Sequence, residues 1–157
     1  MKKIQLTKNK FALVDNEDYE WINQFKWYFS DTGYAVKRVW INKDWKNPIF
    51  KTIRMHRLIN NTPTGFETDH INRNKLDNGR ANLRTASHAQ NTINANIRND
   101  NTSGFKGVYW NKEHKKYSVR IVSNKKLLHL GYFSDFKEAI QARKEAEKIY
   151  YKEFAYK

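Results

Sequence analysis

Cysteine is absent from the 157 residues. Disulfides, thiol nucleophiles and cysteine-held zinc are excluded, so no structural zinc is expected. Any metal must be bound by oxygen or imidazole. No stretch approaches the ~20 consecutive apolar residues that a membrane-spanning helix needs. The opening MKKIQLTKNK is charged and lacks the apolar centre of a secretory signal. A cytoplasmic protein with no membrane association is the expectation. Acidic charge is also scarce: Lys+Arg number 30 against 16 Asp+Glu, a formal net charge of +14. Excess positive charge does not choose a fold, but it favours a polyanionic partner. The excess divides evenly between residues 1–100 and 101–157, unlike a single basic tail. The charges are interleaved with 5 Trp, 9 Tyr and 9 Phe, enough large apolar surface to bury a core. A folded nucleic-acid-binding chain of one or two small domains follows.

The first segment reads as strands around one short helix. Ile4, Leu6, Phe11 and Leu13 alternate about the turn-like Lys8-Asn9-Lys10, which suggests a hairpin. Asp15 or Asn16 caps a helix through Phe25 that buries Tyr19, Ile22 and Phe25. KWYFS, YAVKRVWI and IFKTIRMH then read as strands, and a short helix begins near His56 or Arg57. Residues 60–84 are turn-rich and polar, with only Phe66, Ile71, Leu76 and Leu83 to anchor them. Such a stretch inside a compact domain usually serves a function. Thr85 or Ser87 caps a helix running to about Asn96, and residues 96–103 read as a linker. GVYW, YSVRI and KLLHLGYF are three further strands, followed by a long helix with Asp135 and Glu138 at capping-box spacing. Phe136, Ala139, Ile140, Ala146, Ile149 and Tyr150 form its expected apolar face.

The chemistry-bearing cluster is Asp69-His70, then Asn82 and Asn91. Phosphodiester hydrolysis needs an activated water, charge relief at the phosphate and stabilisation of the leaving oxygen. A histidine titrating near neutrality suits the first task, and a hard divalent cation suits the others. Adjacent strand residues point to opposite faces, so Asp69 can hold a metal while His70 addresses the water. Asn91, on the following helix, can offer a carbonyl oxygen to the same ion. From these residues alone, an Asp-His pair is more often a surface turn than a catalytic site, and Asn82 can be a turn cap.

The wider pattern narrows the choice. MHRLI at 55–59, TDHIN at 68–72, LDN at 76–78, NLR at 82–84 and QNTIN at 90–94 resemble phage and bacterial HNH endonucleases, nearest the homing-type branch. The resemblance is strongest over residues 55–95. It implies a ββα-metal site that uses Mg²⁺ or Mn²⁺. In it His70 resembles the general base, Asp69 the first metal ligand, Asn82 the residue that braces the loop and helps orient the histidine, and Asn91 the second metal ligand. Asn91 stands where the name-giving pattern has histidine. Arg84 and His56 are secondary candidates for phosphate contact or orientation.

SGFKGVYWNKEHKKYSVRI and LHLGYFSDFKEAIQA resemble the Apetala-type, ethylene-response-factor DNA-binding domain over residues 103–154. The resemblance implies a three-stranded sheet laid in the major groove. By position it points to Lys106, Tyr109, Asn111, Arg120 and His129 as DNA contacts. Strand alternation separately puts Val119, Ile121, Leu128 and Leu130 towards the helix, and Ser118, Arg120, Leu127 and His129 outward. Asn94, Asn96, Arg98, Asn99 and Asn101 either follow the minor groove or form a plain tether.

The expectation is an α+β protein. A β-rich N-terminal part leads into the nuclease motif at 1–95; a linker at 96–103 and a sheet-helix DNA-binding domain at 104–157 follow. The expected activity is hydrolysis of double-stranded DNA to 5′-phosphate and 3′-hydroxyl ends, by a monomer or dimer with no obligate protein partner. The rivals are a non-catalytic DNA-binding protein with a vestigial nuclease fold, and an RNA-binding or ribosome-associated basic protein.

Overall fold

The structure is a computed structural model that describes residues 1–42, 44, 46–97 and 99–155. The chain folds as two compact units, Met1–Asn91 and Thr92–Lys157. The division falls inside a helix, upstream of the 96–103 stretch read as a linker.

The first unit opens with an antiparallel hairpin, β1 (Lys2–Gln5) and β2 (Phe11–Val14). Lys8 and Asn9 turn it with positive φ. Ile4 pairs with Ala12 and Lys2 with Val14, so Ala12 and Val14 join Ile4 and Leu6 in the core while Phe11 faces out. The alternation was legible; the inward face of β2 was not, because both of its faces are apolar. Helix α1 (Asn16–Asn23) buries Ile22 and starts with Glu17 and Asp18, which favour the positive end of the helix. It stops before Phe25, which is exposed.

Strands β3 (Tyr28–Phe29), β4 (Ala35–Trp40) and β5 (Phe50–Arg54) form an antiparallel meander. The short helix α2 (Met55–Ile59) follows and sends Met55 and Ile59 into the core with Trp27, Ala35 and Leu83. Strands β6 (Glu67–His70) and β7 (Leu83–Ala86) pair antiparallel, with Asp69 opposite Arg84 and His70 opposite Leu83. Helix α3 (His88–Asn94) comes next. Ser87 and Gln90 cap its start reciprocally: the Gln90 N–H donates to Ser87 Oγ (3.3 Å), and the Ser87 N–H donates to Gln90 Oε1 (2.8 Å). The loop between β6 and β7 is tied to β2, since the Leu13 N–H donates to Leu76 O (2.7 Å) and the Asn78 N–H to Leu13 O (2.8 Å). Phe66, expected as an anchor of this region, is exposed.

The second unit is a three-stranded antiparallel sheet, β8 (Val108–Asn111), β9 (Lys116–Ser123) and β10 (Lys126–Phe133), with β9 central. Helix α4 (Phe136–Tyr150) packs against it, its N-terminus capped by the Asp135 carboxylate. Val108, Val119 and Ala139 form the core; burying each valine contributes about 1.5 kcal/mol or more. The inner face of α4 differs from the apolar pattern. Arg143 and Glu147 are buried, whereas Ile149 and Tyr150 are exposed. Arg143 Nε donates to Glu147 Oε1 (2.9 Å), and Nη1 donates to the Arg120 carbonyl. A side chain on Gly107, whose φ is +73°, would collide with that carbonyl and with the Arg143 guanidinium. The unit is therefore closed by a charged pair as well as by apolar packing. Mixed helix and sheet in both units make the chain α+β. Among the described residues no helix is long and apolar enough to cross a membrane.

Candidate active site

Strand β6 carries the candidate residues on alternating sides. On one side His70 is 4% exposed, and its ring stands edge-on to His56, centroids 4.9 Å apart. Tyr34 packs against both rings, 4.8 Å from His56 and 6.1 Å from His70. His70 Nε2 lies 3.3 Å from Asn78 Oδ1. Asn78 is fully buried, and its amide nitrogen donates to the Leu76 carbonyl (3.2 Å). That bond fixes which end of the amide faces the histidine: an oxygen, which only accepts. His70 therefore carries its proton on Nε2 and keeps the lone pair on Nδ1. Burial pushes the His70 pKa below its ordinary value, with the Asn78 bond opposing. The ring is thus neutral near pH 7, as a proton acceptor must be.

His56 is pushed further, to about 3, by burial first and then by His70, Arg54 and Arg57. Its Nδ1 is buried with no hydrogen-bond partner. A residue this dry, 3% exposed, does not contact phosphate in this conformation. It packs the base. Burial also pushes the Tyr34 hydroxyl up.

On the other side of β6, Asp69 is 4% exposed and accepts from Arg84 Nε and Nη2 at 2.8 and 2.7 Å. Arg84, a phosphate candidate from sequence, here orients Asp69. Glu67, two residues earlier on the same face, accepts from His88 Nδ1 (2.8 Å) and from the Asn91 amide. These two bonds hold the Glu67 carboxyl below the usual carboxylate range, His88 first. Asn91 thus meets β6 through Glu67, a residue sequence reasoning did not single out. Its only sequence signal is the i, i+2 spacing from Asp69.

The resemblance assigns a metal to Asp69 and Asn91, both of which offer oxygen donors. Asp69 supplies a carboxylate, and the Asn91 amide nitrogen points at Glu67, leaving its carbonyl oxygen as a donor. Among the described residues no group of three or more His, Cys, Asp or Glu comes together. A small, oxygen-only set suits a hard cation that keeps most of its positions for water and phosphate.

Asn82, expected from the resemblance as a brace, bonds across the 71–82 loop. Its Oδ1 accepts from the Asn72 N–H (2.9 Å), and its Nδ2 donates to Asn72 Oδ1 (3.0 Å) and Asp77 O (2.8 Å). The side chain that touches His70 is Asn78, so Asn82 acts on the histidine only through the loop. The LDN run drew attention to position 78 without revealing its role.

In the second unit Tyr109, Arg120 and His129 are exposed, and Arg120 pairs with His129 across β9 and β10. A register shift between His129 and Gly131 then sets Tyr132 opposite Ser118. Ser118, expected outward, is buried: His129 Nε2 lies 3.2 Å from its hydroxyl, and the His129 and Tyr132 rings are 4.6 Å apart. Asn111 accepts from the His114 N–H (2.8 Å) and shapes the β8–β9 turn. Lys106 is half-buried, and its ammonium donates to the carbonyls of Ile93 (3.0 Å) and Ala95. It secures the end of α3 instead of standing on the outer face. Asn94 is buried, and Asn101 bonds Gly104, Ser103 and Phe105, so these residues are built into the unit. Arg98 lies outside the described residues.

Residues 61–93 match the model of a protein family described as HNH endonuclease. The chain is 29% identical over 123 residues to an uncharacterized HNH endonuclease of Acanthamoeba polyphaga mimivirus, covering 74% of this chain and 58% of that protein. It is 36% identical over 64 residues to Protein 3.8 of Escherichia phage T7, covering 41% of this chain and 53% of that protein. The chain thus spans little more than half the length of these relatives. No solved structure matches. The segment holding β6, β7 and most of α3 is thus similar to HNH endonucleases.

Proposed function

We propose that the chain is a metal-dependent endonuclease that hydrolyses phosphodiester bonds of duplex DNA, with His70 as the general base. One observation carries this reading: a buried, neutral histidine, its lone pair placed on Nδ1 by Asn78, sits next in sequence to an arginine-paired carboxylate inside the HNH match. The proton acceptor and the cation ligand of this reading are consecutive residues of β6, presented on its two faces.

Asp69 and Asn91 would hold the divalent ion, Mg²⁺ or Mn²⁺, with Glu67 beside them. When bound, the ion supplies charge relief at the phosphate. His70 Nδ1 takes a proton from the attacking water, and Asn78 stays bonded to Nε2 as the ring becomes charged. Arg84 keeps Asp69 aimed. Asn82 keeps the 71–82 loop closed so that Asn78 stays in reach. Hydrolysis in this manner leaves 5′-phosphate and 3′-hydroxyl ends, and one site per chain nicks one strand. A homing-type role follows from the resemblance of the motif order.

The second unit is read as the DNA-docking module, an Apetala-type sheet presenting Tyr109, Arg120 and His129 to the major groove. The family match stops at residue 93, so this reading rests on the sheet itself: three antiparallel strands backed by a helix, with exposed polar and aromatic side chains on the outer face.

Incubating supercoiled plasmid with the protein and Mg²⁺, Mn²⁺ or EDTA tests the reaction. Metal-dependent nicking that His70→Ala abolishes, with DNA binding retained, is expected. Cleavage undiminished in His70→Ala refutes the base assignment. Binding without cleavage in either metal favours the vestigial, non-catalytic alternative.

A further inference from the structure

We propose that the outer face of the β4–β5 hairpin is a second DNA-docking surface, gripping the duplex that flanks the scissile bond. This rests on the DNA reading above and extends it to residues that the motif does not include.

The register makes one face of the hairpin explicit. Val36 pairs with Arg54, Arg38 with Thr52, and Trp40 with Phe50, so these side chains share a side. Outward from Val36 and Arg54 the face carries two aromatic rings, one guanidinium and one hydroxyl. Trp40 is 55% exposed and Phe50 41%, and the two rings meet edge-on at 5.8 Å. The Arg38 guanidinium lies over the Phe50 ring at 4.6 Å. Arg54, at the root of the strip, lies over Tyr34 at 5.4 Å, and Tyr34 is the residue packed on His56 and His70. The strip therefore begins at the wall of the candidate active site and runs away from it. The opposite face is covered at its root, where Ala35 is in the core and the Lys37 ammonium sits 3.1 Å from the Phe25 ring centroid, while its outer rung, Val39 and Lys51, is exposed and carries no ring.

Charge selects the occupant. Residues 35–54 carry Lys37, Arg38, Lys43, Lys46, Lys51 and Arg54 against the single acid Asp44. Solvent-exposed rings on a hairpin this basic are poorly suited to an apolar protein partner. They suit nucleic acid, where phosphates pair with the cations and aromatic side chains lie against sugars and base edges. Successive same-face rungs are about 6.5–7 Å apart, so the face extends over several phosphates of one groove wall.

Titrating a fluorescent duplex in EDTA at several salt concentrations, with the full chain, tests this. Three variants serve: Arg38→Gln, Thr52→Glu, and the double variant Trp40→Ser/Phe50→Ser, all at exposed positions. Arg38→Gln should weaken binding three- to ten-fold and lower the salt slope by about 0.9, the contribution of one phosphate contact. Thr52→Glu, which deletes no contact, should weaken binding at least as much. The aromatic pair should weaken binding five-fold or more with the slope unchanged. In each case hydroxyl-radical protection should shrink on one side of the cut. Unchanged affinity, slope and footprint in all three overturn the proposal and leave the nuclease reading standing. A wild-type chain that ignores duplex DNA while binding RNA overturns both. Aromatic variants that bind DNA normally but dissociate a wild-type dimer in sedimentation show the face to be a self-interface, which also overturns it.

Discussion

His56 makes the first unit acid-sensitive in a way that can be isolated. Its ordinary pKa is 6.5, and in the folded chain burial pushes it to about 3. The unfolded chain therefore binds a proton between these values that the folded chain refuses, and stability rises with pH across that window. Above about pH 6.5 neither state is protonated and His56 has no effect. As pH falls through 6.5 stability is lost, until below about 3 both states are protonated. At 1.36 kcal/mol per unit the whole interval is worth ~5 kcal/mol, and the share lost by pH 5 is about 2 kcal/mol. His56→Phe keeps a ring against Tyr34 and His70 and removes the titration. Urea unfolding of wild type and variant at pH 7 and pH 5 isolates the effect, because every other titrating group cancels in the double difference. The wild-type midpoint should fall by about 1 M more than that of the variant. Equal pH dependence in the two proteins would refute the account of His56 as a buried neutral ring.

Asn78→Leu strips His70 Nε2 of its acceptor inside a dry pocket, and kcat should fall ten- to hundred-fold, or about 1.4–2.7 kcal/mol. Asn78→Asp keeps an acceptor but sets a negative charge beside the ring. The His70 pKa then rises, and the acid limb of the pH–rate profile should move up by one to three units. Single-turnover kinetics across pH check both, and a limb that stays put removes Asn78 from the tautomer argument. In the second unit, Arg143→Met strands the buried Glu147 carboxylate and should cost about 3–5 kcal/mol, whereas Arg143→Met/Glu147→Leu should recover much of it. Chemical denaturation of the three proteins decides; a double variant no more stable than the single shows that the pair is not the unit's closing bond.

Strands and turns were legible because alternation and turn residues are local signals. The similarity to HNH endonucleases was legible because motif order survives when no single residue is diagnostic. What escaped the reading depends on register. β2 is apolar on both faces, and only its pairing with β1 puts Ala12 and Val14 inside. On α4 the inward stripe contains Arg143 and Glu147; a sequence pattern assigns charges to solvent, yet this pair satisfies itself and the Arg120 carbonyl, which allows burial. Glu67 and Asn78 had no site signal of their own. Each acquires a role only once β6 lies against β7 and the 71–82 loop is folded back on β2.

The same register explains how one four-residue strand serves two chemistries. Alternation sends Thr68 and His70 to one side of β6, and Glu67 and Asp69 to the other. The histidine side is sealed by His56 and Asn78, so its ring stays neutral and ready to accept a proton. On the carboxylate side Asp69 and Glu67 are paired with Arg84, His88 and Asn91. On a single face the two demands would conflict, because carboxylates packed around His70 would raise its pKa and hold it protonated. In the proposed reading, base and ligand are thereby split across adjacent residues with one peptide unit between them. A Thr68 deletion would shift Glu67 by one residue against Asp69 and send it to the histidine side of the strand.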